Sequence, residues 1–137
     1  MNEQNRIANA RAEIEASEEA LLAAKALLEG GLLRSAVSRL YYGMLHLVRA
    51  LVVSRGFEPR SHEGVETLFG LHFVREGLLD LRYSKLFAHL QKFREQADYG
   101  PVLALLRDDV ARDLATVREF AGEVTRILRI TEPGAEA

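Results

Sequence analysis

The chain has 137 residues, of which 48% are apolar and 28% charged, with a formal net charge of −2 and no cysteine. This length fits one domain, and the composition is that of an ordinary globular protein rather than a disordered one. Without cysteine, disulfides, thiolate nucleophiles and thiolate zinc sites are excluded, and the cytoplasm is the expected compartment. The sequence shows neither a signal peptide nor an apolar run of membrane-spanning length, so no membrane association is expected.

Residues 2–29 are predicted to form a long amphipathic helix. Apolar and small residues recur along it at spacings of three and four, as a packing seam requires: Ile7, Ala10, Ile14, Ser17, Leu21, Ala24 and Leu28. Gly30-Gly31 is expected to end this helix, because glycine accepts the left-handed backbone found after helix ends. Since only about two residues then precede the next helix, we expect an antiparallel helical hairpin.

The second helix, residues 32–53, is apolar on most sides and is therefore predicted to be the central helix of a bundle. Polar side chains recur on one stripe of it at helical spacing, namely Ser35, Arg39, Tyr42, His46 and Arg49. Residues 30–57 carry four arginines and no acid, whereas residues 1–29 carry six glutamates against three basic residues. This basic stretch suits either a phosphate or the acidic first helix of the same fold, and the sequence leaves both open.

Glycine and proline mark the remaining boundaries. Gly56 and Pro59 break the chain before a third, shorter helix, which is predicted to be capped by Ser61 and closed by Gly77. A fourth helix is predicted over residues 78–97, ended by the break Asp98-Tyr99-Gly100-Pro101, and a last one over about residues 102–128.

No alternation of strand type occurs along the chain. We therefore predict an all-α fold, an antiparallel up-and-down bundle of four long helices plus a shorter one. A single domain is expected over residues 1–130, followed by a frayed tail over residues 131–137.

Residues 93–101 contain the candidate site. Arg94 precedes Asp98 and Tyr99 by about one turn at a predicted helix end, where its guanidinium fork is suited to a phosphate and the Tyr99 hydroxyl lies nearby. The alternative is that Arg94 and Asp98 pair with each other as i and i+4, while Tyr99 only packs at the helix end.

The four histidines, His46, His62, His72 and His89, are interpreted as lacking the i, i+4 pairing with a carboxylate that a helical metal site needs, so neither a metal nor a cofactor is predicted. Three arginine–histidine pairs share the same seven-residue spacing, and of these Arg39 and His46 also share the polar stripe. His62 opens the third helix, where it is expected to accept from a free helix amide or to donate to Asp98.

The stretches Arg39-Leu40-Tyr41-Tyr42-Gly43-Met44-Leu45-His46, Ser61-His62-Glu63-Gly64-Val65 and Arg94-Glu95-Gln96-Ala97-Asp98-Tyr99-Gly100 resemble, in this order, the prokaryotic HEPN-domain family. The resemblance covers about residues 17–125. It implies a helical bundle, commonly dimeric, that acts as a metal-independent ribonuclease or as a toxin paired with a small nucleotidyltransferase. In active members an arginine is followed, after four to six intervening residues, by a histidine. Arg94 matches that arginine, but residues 99–101 are Tyr, Gly and Pro, so the expected histidine is missing.

The resemblance implies three hypotheses. The first is a nucleotide- or RNA-interacting member of a toxin–antitoxin pair, with Arg94, Asp98 and Tyr99 at the cleft of a homodimer. The second is a non-catalytic module that binds a nucleotidyltransferase. The third is a metal-independent endoribonuclease that uses His46 or His62 instead of the missing histidine. The candidate catalytic residues are Arg94, Asp98 and Tyr99, and the candidate nucleotide- or RNA-binding residues are Arg39, Tyr42, His46, His62 and Arg94. Tyr99 is also the candidate for modification with AMP by the partner.

Overall fold

The computed structural model describes residues 2–99 and 107–129, with only the backbone of Tyr99. These residues form five α-helices and one short π-helical turn: α1 Glu3–Glu29, α2 Leu33–Ser54, α3 His62–Phe69, the π turn Gly70–Val74, α4 Leu81–Tyr99 and α5 Arg107–Leu128. No strand occurs within these two ranges. The predicted all-α bundle of four long helices and a shorter one is therefore confirmed. Within the same ranges, no helix combines the length and apolar character that a membrane span requires.

Helix α2 is the centre of the bundle, as its sequence predicts. Twelve of its 22 residues are buried, and it packs against α1, α3, α4 and α5. Leu40 and Leu51 are fully buried and Leu47 is nearly so. Burying a side chain of this size stabilises the fold by about 2 kcal/mol, so α2 supplies much of the hydrophobic stabilisation.

Helices α1 and α2 approach each other closely where Ser17 meets Gly43. The Ser17 hydroxyl is buried and donates to the Gly43 carbonyl at 2.8 Å. A Cβ atom at Gly43 would lie 2.5 Å from Cδ2 of Leu21, which is closer than real Cβ contacts. Glycine at this position therefore sets the distance between the two helices.

The region between α3 and α4 differs from its prediction. Ser61 caps α3 as expected, its hydroxyl accepting from the Gly64 amide at 3.0 Å. The α-helix nevertheless ends at Phe69 and continues as the π turn, whose wider spacing accompanies the burial of both Phe69 and Phe73. Helix α4 begins three residues later than predicted, because Leu79 turns into the core and Asp80 accepts from the Arg82 amide at 2.8 Å.

One residue of the predicted first seam is not in the core. Ile7 is 43% exposed, because the inward-facing seam of α1 begins only at Ala10, which is fully buried. The predicted start of the last helix, residues 102–106, lies outside the described residues. The predicted break over residues 98–101 is wrong in its first half, because Asp98 and Tyr99 still belong to α4. Its second half, Gly100-Pro101, and the tail over residues 131–137 lie outside the described residues.

Candidate functional site

The polar stripe of α2 divides into two halves with different surroundings. In the half nearer the C-terminus, His46 Nδ1 lies 2.7 Å from Glu13 Oε2, and Arg49 Nε donates to Glu13 Oε1 at 3.1 Å. Partial burial acts to raise the pKa of Glu13, but the hydrogen bonds from His46 and Arg49 outweigh it and lower that pKa. The acidic first helix thus meets this half of the basic stretch. His46 is held in a structural contact with α1.

The half nearer the N-terminus has no such partner. Arg39 places its guanidinium carbon 5.0 Å from the centre of the Tyr42 ring, and Arg34 Nη1 donates to the backbone carbonyl of Ala97 at 3.4 Å. Neither arginine forms an ion pair with a carboxylate in residues 2–99 or 107–129. This half is therefore the part of the stripe that remains available to an external anion.

Arg94 lies on α4 above two aromatic rings of α2. Its guanidinium carbon is 4.8 Å from the centre of the Tyr41 ring and 5.6 Å from that of Tyr42. Nη1 donates to Asp98 Oδ2 at 3.2 Å, so the i, i+4 pair considered as the alternative interpretation does form. The pair engages only Nη1 of the guanidinium fork. Arg94 Nε is buried and has no hydrogen-bond partner among the described residues. The side chain is 21% exposed.

A chain of hydrogen bonds runs beneath Arg94. The Tyr41 hydroxyl lies 2.7 Å from His62 Nδ1 and 3.2 Å from Gln91 Oε1. His62 Nε2 lies 3.0 Å from Glu66 Oε2, and Gln91 Nε2 donates to Glu95 Oε1 at 3.2 Å. The Phe87 ring, whose centre is 4.5 Å from that of His62, covers the imidazole. The chain thus connects α3, α2 and α4.

The positions of the hydrogen atoms in this chain of hydrogen bonds depend on whether His62 is charged. An ionised Glu66 accepts only, so His62 Nε2 carries a proton. Tyr41 has one hydroxyl hydrogen for two neighbours. If His62 is neutral, Tyr41 donates to Nδ1; if His62 is an imidazolium, Nδ1 donates to Tyr41 and Tyr41 donates to Gln91. Burial raises the pKa of Tyr41 to about 12, and the nearby Arg94 charge only partly opposes the rise. Tyr41 is therefore neutral at physiological pH, and the His62–Tyr41 pair can hold or pass one proton.

Several expectations about the histidines are wrong. His62 contacts Tyr41 and Glu66 rather than a free helix amide or Asp98, because its ring points into the bundle toward α2. His62 and Glu66 also form an i, i+4 histidine–carboxylate pair, which the sequence interpretation overlooked. Across the described ranges, no group of three or more potential metal-ligating side chains is placed to hold an ion. Arg39 and His46 contact different side chains, Tyr42 and Glu13, but both line one cleft of about 300 Å³ between α1 and α2 together with Tyr42.

The structure brings Arg39, Tyr42, His62 and Arg94 into one region together with Asp98. His46 contacts Glu13 and lines a cleft with Arg39 and Tyr42. The side chain of Tyr99, at the last residue of α4, lies outside the described residues. Sequence reasoning missed Tyr41 and Gln91, which connect His62 to α4. A signal for Tyr41 existed, because a tyrosine on the apolar side of a central helix needs a hydrogen-bond partner for its hydroxyl.

Comparison with known proteins gives a consistent result. The family model described as HEPN domain matches residues 10–128. A UPF0332 protein of Pyrococcus horikoshii is 36% identical over 117 residues, which cover 85% of this chain and 79% of the relative. A protein of Methanocaldococcus jannaschii named "Putative toxin" is 42% identical over 86 residues, covering 63% of this chain and 64% of the relative. A UPF0332 protein of Thermotoga maritima is 28% identical over 112 residues, covering 82% and 85%.

Proposed function

The chain belongs to the HEPN domain family, and from this premise we propose that it is the toxin-like member of a two-protein pair and binds RNA or a nucleotide through Arg94. The observation that carries the proposal is the position of Arg94. Its guanidinium is held between an aromatic platform and Asp98 at a partly exposed site, and among the described residues only its Nη1 atom forms a hydrogen bond. Such a preorganised fork is suited to a phosphate oxygen.

Two further facts support this proposal. Relatives in Methanocaldococcus jannaschii carry the name "Putative toxin". The Arg94–Asp98 contact, an i, i+4 pair on a helix, is worth only about 0.5 kcal/mol, so stability alone gives little reason for this arrangement. In our proposal Asp98 orients the fork, Arg94 binds the phosphate, and Arg39 and Tyr42 complete the binding region.

We further propose that the partner is a small nucleotidyltransferase and that the chain acts in the cytoplasm as a homodimer. The motif resemblance supports the nucleotidyltransferase partner and the homodimer. Light scattering of the purified chain at micromolar concentration is expected to show the mass of a dimer. A monomer mass across this range would contradict the dimer without affecting the role of Arg94.

A second candidate function is metal-independent RNA cleavage with His62 in place of the missing histidine. The observation that favours it is the 2.7 Å contact between His62 Nδ1 and the Tyr41 hydroxyl beneath Arg94. A histidine with a neutral tyrosine can transfer a proton to or from a ribose hydroxyl or leaving oxygen. In this version cleavage persists in the presence of a chelator and is lost in His62→Asn. Cleavage that requires one added metal ion would contradict it.

The central experiment compares Arg94→Gln with Arg118→Gln. Arg118 is an exposed arginine on α5, so its replacement removes the same charge away from the site. Each variant is expressed in a bacterial host to follow growth, and is purified to measure its melting temperature and its affinity for single-stranded RNA. We expect Arg94→Gln to lose growth inhibition and RNA affinity while melting within a few degrees of the parent. Arg94→Gln that inhibits growth and binds RNA like Arg118→Gln would refute the proposal.

A further inference from the structure

The arginines of α2 differ in the groups that their side chains contact. Arg49 forms an ion pair with Glu13 at 3.1 Å. Arg34 contacts only a backbone carbonyl and Arg39 only an aromatic ring among the described residues. Both are exposed. Two positive charges without a carboxylate partner among the described residues therefore lie five residues, or about 1.4 turns, apart on the same helix.

Arg34 and Arg39 line a common cleft of about 550 Å³. Its floor is the first part of α2, and its walls come from α1 and from the end of α4. The lining residues are Leu27, Arg34, Ser35, Ser38, Arg39, Ala97 and Asp98. Asp98 is the one carboxylate among them, and it is already engaged by Arg94. The cleft thus combines two unpaired guanidinium groups with two hydroxyl groups, which is a donor set for an anion.

Tyr42 connects this cleft to the Arg94 site. The guanidinium carbons of Arg39 and Arg94 lie 5.0 and 5.6 Å from the centre of the same ring. Two like charges this close repel each other, and contact with the negative face of an aromatic ring offsets the repulsion by about 0.5–1 kcal/mol per cation. The ring therefore allows two cationic groups to remain near one another without a carboxylate between them.

We infer that Arg34 and Arg39, with Ser35 and Ser38, form a second phosphate subsite beside Arg94, and that the cleft takes two successive phosphates of a single-stranded RNA. This inference rests on the proposed function, because it assigns the first phosphate to Arg94. A nucleoside monophosphate has only one phosphate, so it cannot use both groups of arginines. A cleft between helices accommodates one strand, whereas duplex RNA presents its phosphates from the outside of a wide cylinder.

The test measures binding of a fluorescein-labelled oligouridylate and of uridine monophosphate as a function of salt. The variant Arg34→Gln/Arg39→Gln is compared with Arg94→Gln and with the matched control Arg75→Gln/Arg118→Gln, which removes two exposed arginines outside the cleft. We expect the cleft variant to bind the oligouridylate about tenfold more weakly than the control. The slope of log affinity against log salt should fall in magnitude by about 0.7 for the lost phosphate contact. Affinity for uridine monophosphate should change only in Arg94→Gln.

The outcomes separate this inference from the proposed function. If Arg94→Gln loses RNA binding and the cleft variant binds like the control, the second subsite is refuted and the role of Arg94 stands. If Arg94→Gln binds RNA normally, the proposed function itself fails. Binding of ATP with the affinity of the oligouridylate, and with the same dependence on Arg34 and Arg39, would refute the single-strand assignment. Arg34→Lys/Arg39→Lys retains both positive charges and should therefore retain the salt slope. With this control, a loss of affinity in the glutamine variant is assigned to the missing charges rather than to a folding defect.

Discussion

The guanidinium carbon of Arg94 lies 4.8 Å from the centre of the Tyr41 ring, although the two residues are far apart in sequence. The Tyr41 hydroxyl meets His62 and Gln91 in the layer below. Tyr41 thus has two functions: its ring supports the arginine and its hydroxyl joins three helices. These two functions can be separated by substitution.

Tyr41→Phe should keep the support for Arg94 and remove the link to His62. We expect a loss of about 1–2 kcal/mol in the free energy of unfolding at pH 7, because His62 and Gln91 lose a buried partner. RNA affinity should be retained, whereas Tyr41→Leu should reduce both stability and affinity. Urea unfolding and RNA titration of the two variants measure these effects. Equal affinity loss in both variants would show that the hydroxyl, rather than the ring, supports binding.

Tyr41 should also make the stability of the fold depend on pH at high pH. Burial raises the pKa of this acid from 10.0 to about 12 in the folded protein. Between these values the unfolded chain has released the proton and the folded chain has kept it, so stability falls as pH rises from 10 toward 12. The free energy of unfolding of Tyr41→Phe, measured with urea, should fall less steeply over this pH interval. Parallel curves for the parent and the variant would contradict the assignment to Tyr41.

Glu13 joins α1 to α2 by accepting from His46 and Arg49. Its pKa is lowered on folding from the ordinary value of 4.5, so its contribution is present at neutral pH and is lost as pH falls below that ordinary value and through the lowered pKa of the folded state. Glu13→Gln should cost about 1 kcal/mol at pH 7 and progressively less in acid. Glu18→Gln, on an exposed position of the same helix, is the control and should change little. Equal destabilisation by the two substitutions at pH 7 would contradict the proposed link between α1 and α2 through Glu13.

Gly43 offers a test of the α1–α2 crossing in which the sign of the effect reverses. Gly43→Ala should destabilise the parent by about 1–2 kcal/mol, because the new Cβ collides with Leu21. In a Leu21→Ala background the same change should instead stabilise, since alanine is favoured over glycine in a helix by about 1 kcal/mol. Gly122→Ala on α5, where an added Cβ meets nothing within 4 Å, should stabilise by a similar amount. Gly43→Ala that is stabilising in the parent would contradict the close approach.

The proposed partner enzyme predicts a modification of Tyr99. When the chain is produced together with an active nucleotidyltransferase encoded beside it, intact-mass measurement should show the addition of AMP. Tyr99→Phe should abolish the addition, because the phenolic oxygen is the attachment point, and Tyr42→Phe should retain it. A mass increase that persists in Tyr99→Phe would exclude Tyr99.

The sequence by itself determined the helical architecture. Helix periodicity, the glycines at 30–31, the cap at Ser61 and the apolar character of α2 are local signals, and each is read within one or two turns. They predicted the central helix, the hairpin and most helix boundaries. The π turn and the late start of α4 were missed because Phe73 and Leu79 are drawn into a core that forms only on packing.

The site was decided by the tertiary structure. Periodicity places Arg39, Tyr42, His46 and Arg49 on one stripe, but the rotation of α1 determines which of them meet Glu13 and which remain open. The same holds for Tyr41, whose contacts with His62 and Gln91 join residues separated by 21 and 50 positions. A helix period specifies which side chains share a face, whereas the partner of that face depends on how whole helices pack around the core.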